Sequence, residues 1–239
     1  MNVAVLGELL IISGAFGLFR RKTVIAAGGY LHGTVGEDME LVARLRRQGL
    51  EHGTAHRIEF IPDPVAWTEV PESLSVLGSQ RKRWQRGLTD VLWRYRGVAF
   101  RPRYKTLGLI AYPYFVIVEL FAPLVEAVGL IGLAMGLALG AVDGWFALLF
   151  FLLAYGFGIL LSLLSLALDE LSFQRYPGVR DRLILVGWAV LESFGYRQLT
   201  TYWRLRGVVQ YLRGRTDWGA MTRSGFAVEE PKPTPSAPL

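Results

Sequence analysis

Cysteine is absent from the 239 residues, and histidine occurs three times. Without thiols there can be no disulfide, no thiolate nucleophile, no Cys-based zinc site and no thiol redox chemistry. Charge is scarce as well: 19% of residues are Asp, Glu, Lys or Arg, against 52% hydrophobic and a mean hydropathy of +0.32. That composition excludes a disordered or fibrous chain and is too apolar for an ordinary soluble domain. The scarcity is also local. Between Thr106 and Val142 the only charged residues are Glu119 and Glu126, and from Gly144 to Leu168 there are none. The chain is therefore divided between water and lipid.

The net charge of +6 and pI near 9.7 invite a nucleic-acid reading. Arg and Lys, however, gather beside the apolar segments, where the positive-inside bias and anionic lipid account for them, so no nucleic-acid partner is expected. Met1 to Ile12 has an apolar run but neither a basic n-region nor a small-residue cleavage site, and is not read as a signal peptide.

Residues 1–105 read as a soluble α/β segment in which β-rich runs alternate with amphipathic stretches. Ala15–Arg20, Arg57–Ile61 and Val65–Val70 are strand-like, and Lys22–Ala27 is a short helix stopped by Gly28 and Gly29. From Glu37 to Gln48 the apolar Met39, Val42 and Leu45 recur every third residue, with acids leading and Gly49 as the expected C-cap. A longer helix is expected from Pro71 towards Tyr95, with proline in its first turn.

Residues 106–203 read as a membrane region. Trp145–Leu168 is uncharged and, at about 1.5 Å per residue, gives about 36 Å of helix, enough to span a bilayer. Pro113 and Pro123 interrupt the preceding apolar run, which is therefore divided into an interfacial helix over 107–117 and a span over 118–140. Asp143-Gly144 makes the outside turn. The stretch 183–203 is short and carries Glu192 and Arg197. A third crossing there would place Arg204, Arg206, Arg213, Arg215 and Arg223 outside, against the positive-inside rule, so a re-entrant or interfacial helix is preferred to a third span. Residues 204–228 are expected to form a basic cytoplasmic segment, and 229–239, with four prolines, a disordered tail.

Few residues could perform chemistry. Gln80, Arg83 and Trp84 fall at i, i+3 and i+4 of the longer helix, with Gly87 continuing the face. A guanidinium can grip two phosphate oxygens and an indole can stack on a sugar ring, but an interfacial Trp anchor would look the same. Glu37 and Asp38 stand where a helix start favours acids, and where a carboxylate could equally deprotonate a substrate hydroxyl. His52 and His56 are spaced like zinc ligands on a helix, but Gly53 and Thr54 lie between them and no HExxH is present, so no metal site is read there. Glu119 and Glu126 share a helical face and either line a conduit or bond a neighbouring helix.

Taken together, these segments resemble the membrane-bound family-2 glycosyltransferases, the group of the cellulose, chitin, hyaluronan and poly-N-acetylglucosamine synthases. Gly36-Glu37-Asp38-Met39-Glu40-Leu41 is similar to the family's ED motif, and Gln80-Arg81-Lys82-Arg83-Trp84 to Q-x-x-R-W. Ser13-Gly14-Ala15-Phe16 resembles the segment near the acceptor site, Thr68–Leu74 the stretch before Q-x-x-R-W, and Trp218–Arg223 a C-terminal W-G-x-M-x-R. The resemblance implies the C-terminal part of a GT-A-like α/β domain followed by an all-α transmembrane region at the inner or plasma membrane, its soluble part cytoplasmic. It implies an inverting, processive transfer of sugar from a nucleotide-sugar donor to a glycan acceptor. Asp38, with Glu37, would be catalytic, and Gln80, Arg83, Trp84, Ser13 and Gly14 would bind substrate.

The family's early Asp and D-x-D metal motif have no counterpart here: Asp38, Asp63 and Asp90 are the only aspartates before the apolar segments. The Mg or Mn ion expected of a complete enzyme would thus find no ligands in this chain. The sequence reads as a truncated gene product, or as a subunit whose partner is a separately encoded N-terminal half, inactive alone. The competing reading is a non-catalytic membrane scaffold or glycan-binding subunit of a polysaccharide assembly system.

Overall fold

The computed structural model describes residues 10–12, 14, 16–54, 58–59, 61, 66, 68–173 and 178–215. Among the described residues seven helical segments carry the architecture: α1 (Arg21–Ala26), α2 (Glu37–Glu51), α3 (Leu74–Arg94), α4 (Leu107–Ala138), α5 (Gly144–Phe173), α6 (Val179–Leu191) and α7 (Tyr196–Leu212). Short 3₁₀ turns at Arg96–Val98 and Pro102–Tyr104 connect α3 to α4.

Among the described residues no β-ladder forms. Of the expected strands, Ala15, Arg57, Phe60 and Val65 lie outside the described residues together with their neighbours at 62–64 and 67, while 17–20 and 68–70 are irregular. Two or three isolated strand-prone runs cannot satisfy their own backbone groups; a stable sheet needs further strands or a covering helix. The α/β reading of 1–105 is thus met on its helical side.

Both α2 and α3 form where the apolar spacing places them, with different ends. Gly49 stays inside α2, buried, and the helix continues to Glu51; Gly53, with φ of +69°, takes the left-handed position instead. At the start of α3 Ser73, not Pro71, marks the boundary, its hydroxyl accepting from the Val76 N–H at 3.4 Å.

The main core lies between α2, α3 and the first turns of α4, where Met39, Leu88, Val91, Leu92, Tyr95, Leu107, Ala111, Tyr112 and Phe115 close together. Here the expected break of the apolar run at Pro113 and Pro123 does not occur. α4 is continuous because the turns before each proline widen to i→i+5 bonding, over Leu107–Ala111 and Phe115–Leu120. A π-turn accommodates the missing N–H and the ring clash without ending the helix.

Beyond the core the helices lose their cover. α4 and α5 are long and apolar enough to cross a membrane, yet only 6% of the apolar window of each is buried within the protein. Asp143 caps α5, its Oδ2 accepting from the Trp145 and Phe146 N–H groups at 2.9 and 3.2 Å. The stretch 183–203 is not one helix. Gly195, with φ of +88°, breaks it into α6 and α7. α7 then runs straight through the expected boundary at 203/204 and lies along α3. The crossing needs glycines: a Cβ at Gly78 would fall 2.7 Å from the Trp203 indole, and one at Gly207 would fall 2.7 Å from the Lys82 carbonyl.

Candidate functional site

α2 begins at the site. Gly36 is its N-cap, so Glu37 and Asp38 occupy the first turn, where N–H groups are unsatisfied. Asp38 Oδ1 accepts from the Met39 N–H at 2.7 Å. Its other oxygen faces Gly14: a Cβ built on that glycine would lie 2.7 Å from Asp38 Oδ2. A glycine here leaves room for the carboxylate in its present rotamer.

The same turn of α2 rests on α3. A Cβ on Gly87 would lie 3.1 Å from both the Cα and the N of Gly36, so the two backbones are in contact. Gly87 sits three residues past Trp84 and four past Arg83, about 5–6 Å along the axis on the same face. Thr34 secures the approach, its buried hydroxyl donating to Asp90 Oδ2 at 2.7 Å while Asp90 is also 3.4 Å from Arg94. Gly14 thus lies against the Asp38 carboxylate, and the turn that carries Glu37 and Asp38 rests on α3 at Gly87. Gln80, Arg83 and Trp84 extend from it along α3. Trp84 is exposed, with the Arg81 guanidinium 4.8 Å from its ring centroid. Ser13, Trp218–Arg223 and His56 lie outside the described residues, and His52 is exposed, its ring nitrogen 2.8 Å from the Gln48 carbonyl.

Beneath the site is a charged network that sequence reasoning missed. Glu40 is fully buried, accepting from Tyr95 Oη at 2.6 Å and from Arg44 at 3.0 Å. Arg44 also donates to the carbonyls of Ala27 and Gly29, tying the loop after α1 to α2. Burial, and then the bond to the Glu40 carboxylate, push the Tyr95 phenol well above its ordinary pKa, so it stays a donor. The i, i+4 spacing of Glu40 and Arg44 was a readable signal; the 55-residue separation of Glu40 and Tyr95 was not.

The two carboxylates of α4 resolve to one of their two readings. Glu119 pairs with Arg204 at 3.1 Å and Glu126 with Arg197 at 3.1 Å, both on α7. They bond a neighbouring helix. Arg204 further donates to Gln85 Oε1 at 2.8 Å, joining α3, α4 and α7 at one guanidinium.

A model of glycosyl transferase family group 2 matches residues 2–163, about two thirds of the chain. The chain belongs to that family. Within the family's curated members, residues of this chain are 34% identical over 88 residues to the poly-beta-1,6-N-acetyl-D-glucosamine synthase of Staphylococcus aureus (strain COL), covering 37% of this chain and 20% of the synthase. They are 23% identical over 171 residues to the probable glycosyltransferase YdaM of Bacillus subtilis (strain 168), covering 70% of this chain and 39% of that protein. The chain thus matches about a fifth of the length of the staphylococcal synthases. No solved structure matches it. Family-2 glycosyltransferases often use divalent cations, but among the described residues no group of three or more His, Asp or Glu could hold a metal ion.

Proposed function

We propose that this chain is the acceptor-side and membrane portion of a family-2 glycosyltransferase that extends a glycan from a nucleotide-sugar donor, with the donor- and metal-binding half supplied by sequence not contained in it. The observation that supports the reading is that the turn bearing Asp38 packs on α3 at Gly87, about one helical turn from Arg83 and Trp84, while Gly14 lies against the Asp38 carboxylate. Those groups come from three separate stretches of sequence, and a solvated helix start would not need them together.

In this reading Asp38 Oδ2 takes the proton of the acceptor hydroxyl as its oxygen bonds to the anomeric carbon. The bond from that carbon to the diphosphate breaks on the opposite face, and configuration inverts. Arg83 offers fixed positive charge to the leaving diphosphate, and Gln80 and Trp84 hold the acceptor sugar by hydrogen bonding and stacking. Held in place after one transfer, the same acceptor can be extended again, as processive synthesis requires. The hairpin of α6 and α7 enters the bilayer from the cytoplasmic side and returns to it, keeping the soluble part at the cytoplasmic face. Its apex at 192–195 contacts α5 at Ser162 and Tyr155, about 16 Å short of Gly144 at about 1.5 Å per residue, which supports a re-entrant course.

The test has two arms. Membranes containing only this chain should incorporate no radiolabel from a sugar nucleotide; turnover there overturns the division of labour. In a complete enzyme carrying this segment, Asp38→Asn should abolish transfer while expression is retained. Unchanged transfer would favour the non-catalytic scaffold.

A further inference from the structure

Between α5 and α6 lies a cleft of about 360 Å³. Leu163, Leu166 and Ala167 line it from α5, Leu185 and Val186 from α6, and at one end stand Glu170 and Arg182. The ion pair there is stretched: Arg182 Nε is 4.0 Å from Glu170 Oε1, against 3.1 Å for the two pairs of α7. Glu170 Oε2 is sealed from solvent and has no hydrogen-bond partner among the described residues. A shielded carboxylate oxygen without a donor is costly, and such a group points to a ligand that supplies one.

The position fixes the kind of ligand. The uncharged run of α5 ends at Leu168, so Glu170 sits at the level where hydrocarbon gives way to headgroups, and the cleft descends from it about 10 Å to Leu163. We infer that this cleft holds an ethanolamine phospholipid, with its ammonium donating to Glu170, its phosphate on Arg182 and an acyl chain along the leucines. The charges select the headgroup. A choline ammonium has no N–H to give Glu170, and a glycerol headgroup, lacking the ammonium, leaves two negative groups, its phosphate and Glu170, to Arg182 alone. The inference rests on the membrane placement proposed above but not on sugar transfer.

Native mass spectrometry of the full chain, released from nanodiscs of equimolar phosphatidylethanolamine, phosphatidylcholine and phosphatidylglycerol, reads the outcome. The wild-type chain should retain phosphatidylethanolamine several-fold over the other two. Glu170→Gln should bring that ratio near one, and Ala167→Trp, which fills the cleft, should remove retained lipid with helicity by circular dichroism unchanged. Equal retention of the three lipids by the wild-type chain overturns the inference, as does a preference that survives both substitutions. Loss of the cleft to a dimer of the chain in the same spectra overturns it too. Failure of the chain to enter nanodiscs at all would instead remove the membrane placement.

Discussion

Gly36 and Gly87, fifty-one positions apart, touch backbone to backbone, and each would drive a Cβ to 3.1 Å from the other's Cα. Both lie in regular surroundings of ordinary φ, so the glycines serve proximity rather than turn geometry. Gly87→Ala therefore forces the first turn of α2, with Glu37 and Asp38, away from α3. The crowding should cost about 1–3 kcal/mol, offset in part by the roughly 0.5–1 kcal/mol that alanine gains over glycine inside a helix, so a modest net loss of stability is expected. Unfolding of the detergent-solubilised chain checks this, and an unchanged midpoint would show that the contact is loose. Gly14→Ala should behave otherwise. Gly14 is exposed, so stability should hold, while a complete enzyme should lose transfer at least 100-fold because the methyl collides with Asp38 Oδ2.

The Glu40 network predicts a graded response. Tyr95→Phe removes one donor from a fully buried carboxylate and should cost about 1–3 kcal/mol. Arg44→Ala removes the charge partner and the clamp on the 27–29 carbonyls, and should cost about 3–5 kcal/mol. Chemical denaturation of the two variants, side by side, checks the order. A Tyr95→Phe variant less stable than Arg44→Ala would mean that the hydroxyl, not the guanidinium, compensates Glu40.

Glu119–Arg204 and Glu126–Arg197 form an antiparallel ladder, both acids seven residues apart on α4 and both arginines seven apart on α7. Thr201 also donates to Glu126 at 3.1 Å. Reversing one charge, Glu126→Arg, sets like charges against each other and should release α7 from α4. Adding Arg197→Glu should restore docking, with a coupling of the order of 1 kcal/mol between partners in an apolar medium. Protection of α7 from trypsin reports the docking. A double variant as sensitive as the single one would deny the pairing.

Glu51 gives the chain a sensitivity to acid. Hydrogen bonds from Arg47 and then Tyr104, at 2.9 and 2.8 Å, hold its carboxyl below the ordinary value of 4.5. A carboxyl lowered in the folded state contributes stability that is present above its unfolded pKa and lost as pH falls through the folded one. Stability should accordingly decline below about pH 5, and the decline should be shallower in Glu51→Gln. Equal slopes for the two proteins between pH 5 and 3 would remove Glu51 as a source.

How much of this was legible depended on range. α2, α3 and the two apolar helices follow from periodicity and hydropathy, which are local. The motif resemblance proposes one site for Asp38 and the Gln80–Gly87 face, whereas the Gly36–Gly87 contact that sets α2 on α3 was not legible, because a glycine shows no partner in sequence. The break at Pro113 and Pro123 was misjudged because proline is read as a stop, and only the structure reveals a turn wide enough to absorb it. Likewise Arg204 looked like one member of a cytoplasmic basic segment. Its bonds to Gln85 and Glu119 are long-range, and they turn that segment into part of the helical unit.

The absence of cysteine makes the course of the α6–α7 hairpin directly measurable, since any introduced thiol will be the only one. Asp143→Cys marks the turn between α4 and α5, Lys105→Cys the soluble side, Gly214→Cys the end of α7. The contacts of α7 with α3 at Gly78, Lys82 and Gln85 favour a course in which positions 105 and 214 share a side. In inverted membrane vesicles a membrane-impermeant maleimide should therefore label 105 and 214 and spare 143; in right-side-out cells it should label 143 alone. Labelling of 214 together with 143 would mean a third crossing, which would carry Arg204 and Arg206 through the bilayer and pull α7 off the helix that bears Arg83 and Trp84.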